Sequence, residues 1–194
     1  FQQKARWCML GYGHEQGEER LRTALAAMLA HKRGMNVGKE SICITRGSQM
    51  ALYLTAHTLV GKGDTVAMEC PGYLHAWQIF SRAGAKMVPI SVDDKGMVIE
   101  ELEQLCKTRR IKAVYVTPHH QFPTAVSMKV ERRLRLIELS NRYGFAIVED
   151  DYDHEFHFEA KSLLPLASNE HAANVIYISS LSKLVAPAVR IGYV

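Results

Sequence analysis

Val175-Ile-Tyr-Ile-Ser-Ser-Leu-Ser-Lys183 is the stretch of this 194-residue chain from which the fold can be read. The apolar, mostly β-branched run from Val175 to Ile178 predicts a buried strand. The hydroxyl residues that follow predict the carboxyl end of that strand, and a lysine comes directly after them. Seven residues further on the chain carries Arg190, within Ala-Pro-Ala-Val-Arg190-Ile-Gly-Tyr-Val194.

These side chains suggest a particular chemistry. A lysine amine that loses its proton through desolvation can attack an aldehyde and form a Schiff base. Ser180, Ser182 and Arg190 offer hydroxyl donors and a planar guanidinium, which suit a phosphate group. Together they predict a site for pyridoxal phosphate, which carries both an aldehyde and a phosphate. A serine-rich turn with a solvated lysine is the alternative, and the short motif by itself leaves both open.

The composition narrows the class of protein. An apolar content of 47% and a charged content of 23% are typical of a globular domain, and the net charge of +4 is modest. Arg132, Arg133 and Arg135 are interpreted as the solvated face of one helix, not as a nucleic-acid surface. No run reaches the roughly 20 apolar residues that a membrane span requires, so no membrane partner is predicted.

The cysteines and the chain ends suggest a setting. The four cysteines form no Cys-x-x-Cys pair, and Cys43 and Cys70 lie in or beside apolar runs. This pattern predicts buried, reduced thiols and a cytoplasmic location. The chain begins at Phe1 and stops within an apparent strand at Ile191–Val194, so we interpret it as part of a longer protein.

Strand and helix patterns alternate along the chain. Apolar, β-rich runs predict six strands, at residues 42–45, 65–69, 86–92, 111–117, 145–149 and 175–179. Helical periodicity predicts five helices, at residues 18–33, 48–60, 99–108 and 128–143 and in the segment that ends at residue 82. Lys32 and Arg33 are interpreted as charges that end the first helix. This alternation predicts a three-layer α/β/α fold with a mostly parallel sheet.

Ligands bind beyond the carboxyl ends of the strands in such sheets, and two candidate segments lie there. Gly47-Ser48-Gln49 follows one strand and opens a helix, which predicts an anion-binding turn, although a plain helix cap explains it equally. Tyr73 follows Pro71-Gly72 at the next strand end. Its ring is placed either to stack on a flat cofactor or to pack in the core.

The acidic stretch Glu149-Asp150-Asp151-Tyr152-Asp153 ends another strand. Carboxylates this close repel one another unless a cation faces one of them, and a protonated pyridine nitrogen would serve. A solvated acidic loop is the alternative, and a metal site that includes His154 and His157 is a second. We predict no metal, because this mixture of oxygen and imidazole ligands is not a decisive signature. Pro118 to Ala125, which includes His119 and His120, is predicted as a rigid polar loop.

In this order the motifs resemble the fold-type I pyridoxal-phosphate enzymes, the aminotransferase superfamily, across essentially the whole chain. The resemblance rests on Thr45-x-Gly47-Ser48-Gln49, Glu69-x-Pro71-Gly72-Tyr73 and Ser182-Lys183-x-x-Ala186-Pro187-x-x-Arg190-x-Gly192-Tyr193. Two further motifs, His120-Gln-Phe-Pro-Thr124 and Glu149-Asp-Asp-Tyr-Asp153, resemble the MocR-type regulators of the GntR superfamily. In those regulators an aminotransferase-like domain follows a winged helix-turn-helix domain that binds DNA.

The resemblance implies a role for each motif residue. Lys183 would hold pyridoxal 5′-phosphate as a Schiff base, Asp150 would pair with the pyridine nitrogen, and Tyr152 would bind the ring hydroxyl oxygen. Tyr73 would stack on the ring. The phosphate would be held by Ser48, Gln49, Ser180, Ser182 and Arg190. Tyr12 matches, more loosely, a tyrosine that reaches the phosphate of the partner subunit, which implies a homodimer.

The resemblance also has departures. Phe122-Pro123 stands where aminotransferases usually carry Asn-Pro, so a side-chain amide near the ring oxygen is missing. Ala125 and Ala188 replace usual glycines, which suits the loops only where φ is not positive. Residues 1–194 would form the large domain, with the winged helix and the small C-terminal domain absent from this chain.

Two functions follow from the resemblance. The first is an effector-sensing domain of a MocR-type transcriptional regulator, in which a small amino compound displaces Lys183 and DNA is bound only through the absent domain. The second is an aminotransferase that acts on an amino acid. Whether the chain is an enzyme stays open at this point.

Overall fold

The computed structural model describes residues 11–156, 163–183 and 186–194. It contains an eight-stranded mixed sheet. In chain order the strands are β1 (Ile44–Thr45), β2 (Thr65–Cys70), β3 (Lys86–Asp93), β4 (Gly96–Met97), β5 (Ala113–Val116), β6 (Ala146–Asp151), β7 (Val175–Ser180) and β8 (Gly192–Tyr193). Their order across the sheet is β1-β8-β7-β6-β5-β2-β3-β4. The five central strands β7, β6, β5, β2 and β3 are parallel, whereas β8 runs antiparallel to both β7 and β1, and β4 runs antiparallel to β3.

Helices cover both faces of the sheet. They are α1 (Glu19–Arg33), α2 (Ser48–Leu59), α3 (Leu74–Arg82), α4 (Ile99–Thr108) and α5 (Val130–Tyr143). Helices α2 and α3 contribute Leu52 and Phe80 to one apolar cluster, and α4 and α5 contribute Leu102 and Leu136 to another. The three-layer α/β/α prediction is therefore confirmed. The short strand β4 is an element that the sequence analysis did not predict.

Two arginines are buried in the fold. Arg33, interpreted as a charge at a helix end, is fully buried and donates to the hydroxyls of Tyr177 and Tyr193. Arg133, interpreted as part of a solvated face, is also buried and donates to three backbone carbonyls, those of Pro118, Met128 and Leu164. Arg33 does lie in the last turn of α1, as predicted. The interpretation of Arg133 as part of a solvated face was wrong, because the carbonyls of Pro118 and Leu164 that receive its guanidinium lie on segments outside the helix.

The burial of the cysteines differs from the prediction. Cys70 is exposed and Cys43 is half-buried, so the prediction that both are buried was wrong, whereas Cys106 is buried. Cys70 is exposed because it is the last residue of β2, where the strand leaves the sheet. Within the described ranges no helix is long and apolar enough to cross a membrane.

The last strand lies directly against the start of α2. A Cβ atom added to Gly192 would lie 2.5 Å from the carbonyl carbon of Gly47, closer than real contacts allow. A Cβ atom on Gly47, whose φ is 78°, would lie 2.7 Å from Nη2 of Arg190. Only bare backbone fits at both positions. The arginine side chain is thereby brought to the free N–H groups at the start of α2.

Ala125 has a left-handed backbone with φ of 59°. An alanine was expected to suit this loop only where φ is not positive, and that condition is not met. Ala188 is different: it lies in a 3-10 helix, Pro187–Val189, and is not among the described residues with positive φ. A left-handed backbone costs an L-residue about 1–2 kcal/mol, whereas glycine adopts it freely.

We therefore expect Ala125→Gly to stabilise the protein by up to about 1 kcal/mol, the strain relieved less the chain entropy that glycine adds. The measurement is the free energy of unfolding in urea. Ala188→Gly is the matched control and should destabilise slightly. Equal effects of the two substitutions would contradict this account.

Candidate functional site

A cavity of about 270 Å³ opens at the carboxyl ends of the central strands. It is lined by Ser48, Tyr73, Tyr115, Thr117, Phe122, Asp150, Tyr152 and Lys183. Five of these were candidates from the sequence: Ser48, Tyr73, Asp150, Tyr152 and Lys183. The structure thus brings side chains from four separate strand ends into one cavity, at the edge where parallel sheets bind ligands.

Asp150 is the buried acid of this cavity. Its Oδ2 accepts a hydrogen bond of 2.9 Å from the hydroxyl of Tyr115, while Oδ1 has no hydrogen-bond partner among the described residues. Burial raises the pKa of Asp150 to about 7, and the nearby charges of Asp151 and Asp153 add to the effect of burial, against the Tyr115 hydrogen bond. A buried carboxyl oxygen without a partner fits a cationic ring N–H.

The other acids of this motif have partners of their own. Glu149 accepts from the backbone N–H groups of Leu166 and Ala167 at 2.8 and 3.0 Å. Asp151 accepts from the hydroxyl of Tyr177 at 2.6 Å. Burial alone would raise the pKa of Asp151, but the hydrogen bonds from His154 and Tyr177 and the charge of Arg33 lower it overall. The stretch is therefore not a solvated acidic loop, because Glu149, Asp150 and Asp151 are all buried.

The metal alternative concerns the same region. His119, Asp151 and His154 each place one donor atom within 4.8 Å of the others, and all three are buried. Nδ1 of His154 lies 2.7 Å from Oδ2 of Asp151, a hydrogen-bond distance. His157 lies outside the described residues. The prediction that no metal binds here stays a prediction.

Lys183 projects toward the acidic motif. Its Nζ lies 3.9 Å from Oδ2 of Asp153, 4.5 Å from the centre of the Tyr152 ring and 5.8 Å from that of Phe156. The side chain is 47% exposed. The desolvated lysine expected from the sequence is therefore not observed, because the residue leaves the strand in a turn and is not covered by it.

Ser48 and Arg190 of the predicted phosphate donors lie at the start of α2, whereas Ser180 and Ser182 lie at and just beyond the end of β7. Ser48 lines the cavity, and the guanidinium of Arg190 lies against Gly47. The Ser180 and Ser182 hydroxyls are 2.9 Å apart, and the backbone N–H of Ser182 donates to Oγ of Ser180. A helix N-terminus, two hydroxyls and a guanidinium match the charge and donor set that a phosphate requires.

Three aromatic residues differ in how they relate to the prediction. Tyr73 lines the cavity and receives a 3.1 Å hydrogen bond from the amide of Gln49, so Gln49 contacts this tyrosine in the structure. The hydroxyl of Tyr152 donates to the carbonyl of His120 at 3.2 Å, and burial raises its pKa. Tyr12 is fully exposed and is not part of the cavity lining, so its contact with a partner subunit stays a prediction.

The sequence analysis did not identify a buried polar cluster beneath the cavity. Glu69 accepts from the backbone N–H and the hydroxyl of Thr117, at 3.1 and 2.7 Å, and burial raises its pKa to about 7. The amide of Gln121 donates to the carbonyls of Pro71 and Phe122 at 2.8 and 2.6 Å. This cluster joins the Tyr73 loop to the Phe122 loop. Polar residues at the ends of apolar strands were the signal available for it.

Comparisons with known proteins find a matching family and two kinds of relative, an aminotransferase and a transcriptional regulator. The profile of the family "Aminotransferase class I and II" matches residues 8–194. The aromatic-amino-acid aminotransferase 1 of Thermococcus litoralis is 36% identical over 190 residues, which is 95% of this chain and 46% of that protein. The HTH-type transcriptional regulator TauR of Rhodobacter capsulatus is 35% identical over 162 residues, which is 84% of this chain and 32% of that protein.

A solved structure agrees with these relatives. The crystal structure of kynurenine aminotransferase from Pyrococcus horikoshii, in complex with PMP, superposes with a TM-score of 0.89 at 35% identity, covering 95% of this chain and 46% of that one. The chain spans less than half the length of these curated relatives. With its motifs, its sheet and its cavity, the chain belongs to the aminotransferase class I and II family, whose cofactor is pyridoxal 5′-phosphate.

Proposed function

We propose that this chain is the cofactor-binding domain of a MocR-type transcriptional regulator, which senses a small amino compound through pyridoxal 5′-phosphate held on Lys183. Residues 1–194 would be its large domain, and DNA would be bound by a domain outside this chain. The protein would act in the cytoplasm as a homodimer, with Tyr12 reaching the phosphate of the partner subunit.

The residues of the cavity fit the cofactor. The free oxygen of Asp150 would accept from the ring nitrogen, and Tyr73 would contact the ring face. Ser48, Ser180, Ser182 and Arg190 would hold the phosphate, with Gln49 acting through Tyr73. Tyr152 would donate to the ring oxygen, a role that its raised pKa supports because the hydroxyl keeps its proton. When bound, the cofactor supplies an aldehyde that reacts with amines and a ring that withdraws electrons.

Phe122 is the observation that carries the sensing role. Its ring lines the cavity edge-on to Tyr73, with centroids 5.5 Å apart, where aminotransferases usually carry an asparagine amide. An apolar ring cannot donate to the ring oxygen, so this contact is left to Tyr152 alone. The identity of 35% to a transcriptional regulator supports the same conclusion.

An aminotransferase is the second candidate. The 36% identity to an aromatic-amino-acid aminotransferase favours it, as does the presence of Lys183, Asp150 and Ser48 in one cavity. In that function Lys183 would move a proton between two carbon atoms of the bound compound, acting as a general base and then as an acid.

The first test concerns cofactor binding. We expect the full-length protein, loaded with pyridoxal 5′-phosphate and reduced with borohydride, to carry a pyridoxyl group on Lys183 that peptide mass spectrometry detects. Lys183→Ala should abolish the adduct, whereas Lys62→Ala, at an exposed turn remote from the cavity, should leave it unchanged. Absence of the adduct on Lys183 would refute the proposal.

A second measurement separates the two candidates. The full-length protein is incubated with amino acids and a keto-acid acceptor, and turnover and binding to its own upstream DNA are followed together. A regulator should change its DNA affinity with an amino compound and show little turnover. Steady turnover that Lys183→Ala abolishes, with no DNA binding, would favour the enzyme.

A further inference from the structure

The surroundings of Lys183 include more than the cofactor site. The carboxylate of Asp153 lies 3.9 Å from Nζ, and the rings of Tyr152 and Phe156 lie 4.5 and 5.8 Å from it. A carboxylate and the faces of aromatic rings both attract an ammonium ion. Three side chains of the acidic segment therefore surround the position that a charged lysine would occupy.

The carboxylate of Asp153 also lies close to a histidine. Its Oδ1 lies 3.0 Å from Nδ1 of His120, and the side chains of both residues are largely buried, with exposures of 13% and 15%. The backbone carbonyl of His120 also receives the hydroxyl of Tyr152. The carboxylate of Asp153 and the Tyr152 side chain thus both lie next to His120.

From this geometry we propose that Asp153, positioned by His120, is the carboxylate that receives Lys183 when an amino compound displaces it; this inference rests on the proposed function. In the exchange the incoming nitrogen forms its bond to the aldehyde carbon while the bond from that carbon to Nζ breaks. Two protons pass from the incoming ammonium to Nζ, so Lys183 leaves as an ammonium ion. Asp153 stabilises that product and so favours displacement.

The role differs from that of Asp150. Asp150 lines the cavity and has its free oxygen there, whereas Asp153 contacts Lys183 and is not itself among the lining residues. Asp153 is therefore a positioning residue for the released amine. Its loss should weaken displacement by amines without removing the attachment of the cofactor.

The test uses full-length protein loaded with the cofactor and methylamine as the probe. The equilibrium constant for displacement is read from the fraction of pyridoxyl adduct left on Lys183 after borohydride reduction. We expect Asp153→Asn to require roughly five-fold more methylamine than the wild type, the size of one partly exposed charge pair. Asp153→Glu should recover part of the loss, and His120→Gln should fall between the wild type and Asp153→Asn.

A double-mutant comparison makes the assignment specific. In a Lys183→Ala background no lysine is released, so Asp153→Asn should leave methylamine binding to the loaded protein unchanged. An equal loss in both backgrounds would overturn the inference, because Asp153 would then act on the incoming amine. If Asp153→Asn keeps the adduct and is displaced by the same methylamine concentration as the wild type, the inference about Asp153 is overturned while the proposed function is not. Absence of any adduct in the wild type would overturn the proposed function as well.

Discussion

Asp150→Asn should stabilise the cofactor-free protein and weaken its hold on the cofactor. The substitution replaces a buried carboxyl, one oxygen of which has no partner among the described residues, with a neutral amide of similar shape. At pH 8 we expect the free energy of unfolding to rise by about 1–3 kcal/mol, because the amide carries no charge whose burial destabilises the folded protein. Cofactor affinity should fall roughly 10–100-fold, since a charge-assisted hydrogen bond contributes about 1.5–3 kcal/mol.

The stability gain should depend on pH in a defined direction. The pKa of Asp150 is about 7 in the folded protein, above its ordinary value of 3.8. Between these two values the folded protein binds a proton that the unfolded chain does not, so the wild type loses stability as pH rises. The stability that protonated Asp150 contributes to the wild type is fully present below about pH 4 and is lost as pH rises through 7. The difference between variant and wild type should therefore be small at pH 4 and largest above pH 7.

The neighbouring acid provides a matched control. Asp151 accepts hydrogen bonds, and its pKa in the folded protein is lowered. Its ionised form therefore stabilises the fold at pH values above the ordinary aspartate pKa, and this stabilisation is lost as pH falls through the lowered pKa. Asp151→Asn should therefore destabilise the protein at pH 8, opposite in sign to Asp150→Asn. Chemical denaturation of both cofactor-free variants across pH 4–8 measures this. A shared sign would contradict the opposite pKa shifts of the two acids, on which this contrast rests.

Arg33→Met should be the most destabilising single substitution outside the cavity. The guanidinium is fully buried, donates to Tyr193 at 2.9 Å and to Ser179 at 3.1 Å, and also contacts Tyr177 and Glu155. Removing one member of a buried charged network costs about 3–5 kcal/mol, because its partners stay buried without it. The measurement is the urea midpoint at constant slope.

A surface arginine separates this effect from a general loss of charge. Arg135 pairs with Glu103 and Glu138 on exposed parts of the helices. Arg135→Met should cost no more than about 1 kcal/mol, since solvent screens such pairs. Similar losses for Arg33→Met and Arg135→Met would show that the buried network contributes little.

Much of the site could be inferred from the sequence because parallel strands deliver their ends to one edge. Ser48, Tyr73, Asp150 and Lys183 each follow an apolar run, and the sheet order brings those four ends together. Local pattern was sufficient there. The same reasoning predicted the helix α4 with its observed bounds, Ile99–Thr108.

Long-range pairing was beyond local pattern. Tyr115 lies inside a buried strand and has the periodicity of a core residue, yet its hydroxyl binds Asp150 across 35 residues. Arg33 resembles an ordinary helix-end charge, and its partners Tyr177 and Tyr193 lie 144 and 160 residues away. A single sequence carries no signal for which distant polar groups will meet. The departures at these positions therefore concern buried polar networks.

The contact between Gly47 and Gly192 limits the spacing between strand β8 and helix α2. The two backbones touch, so the clearance between strand β8 and the start of α2 is set by the absence of two side chains. One added methyl group would separate these segments and move Arg190 away from the helix N-terminus. The width of the gap between these two segments is therefore fixed by two residues that contribute no functional group.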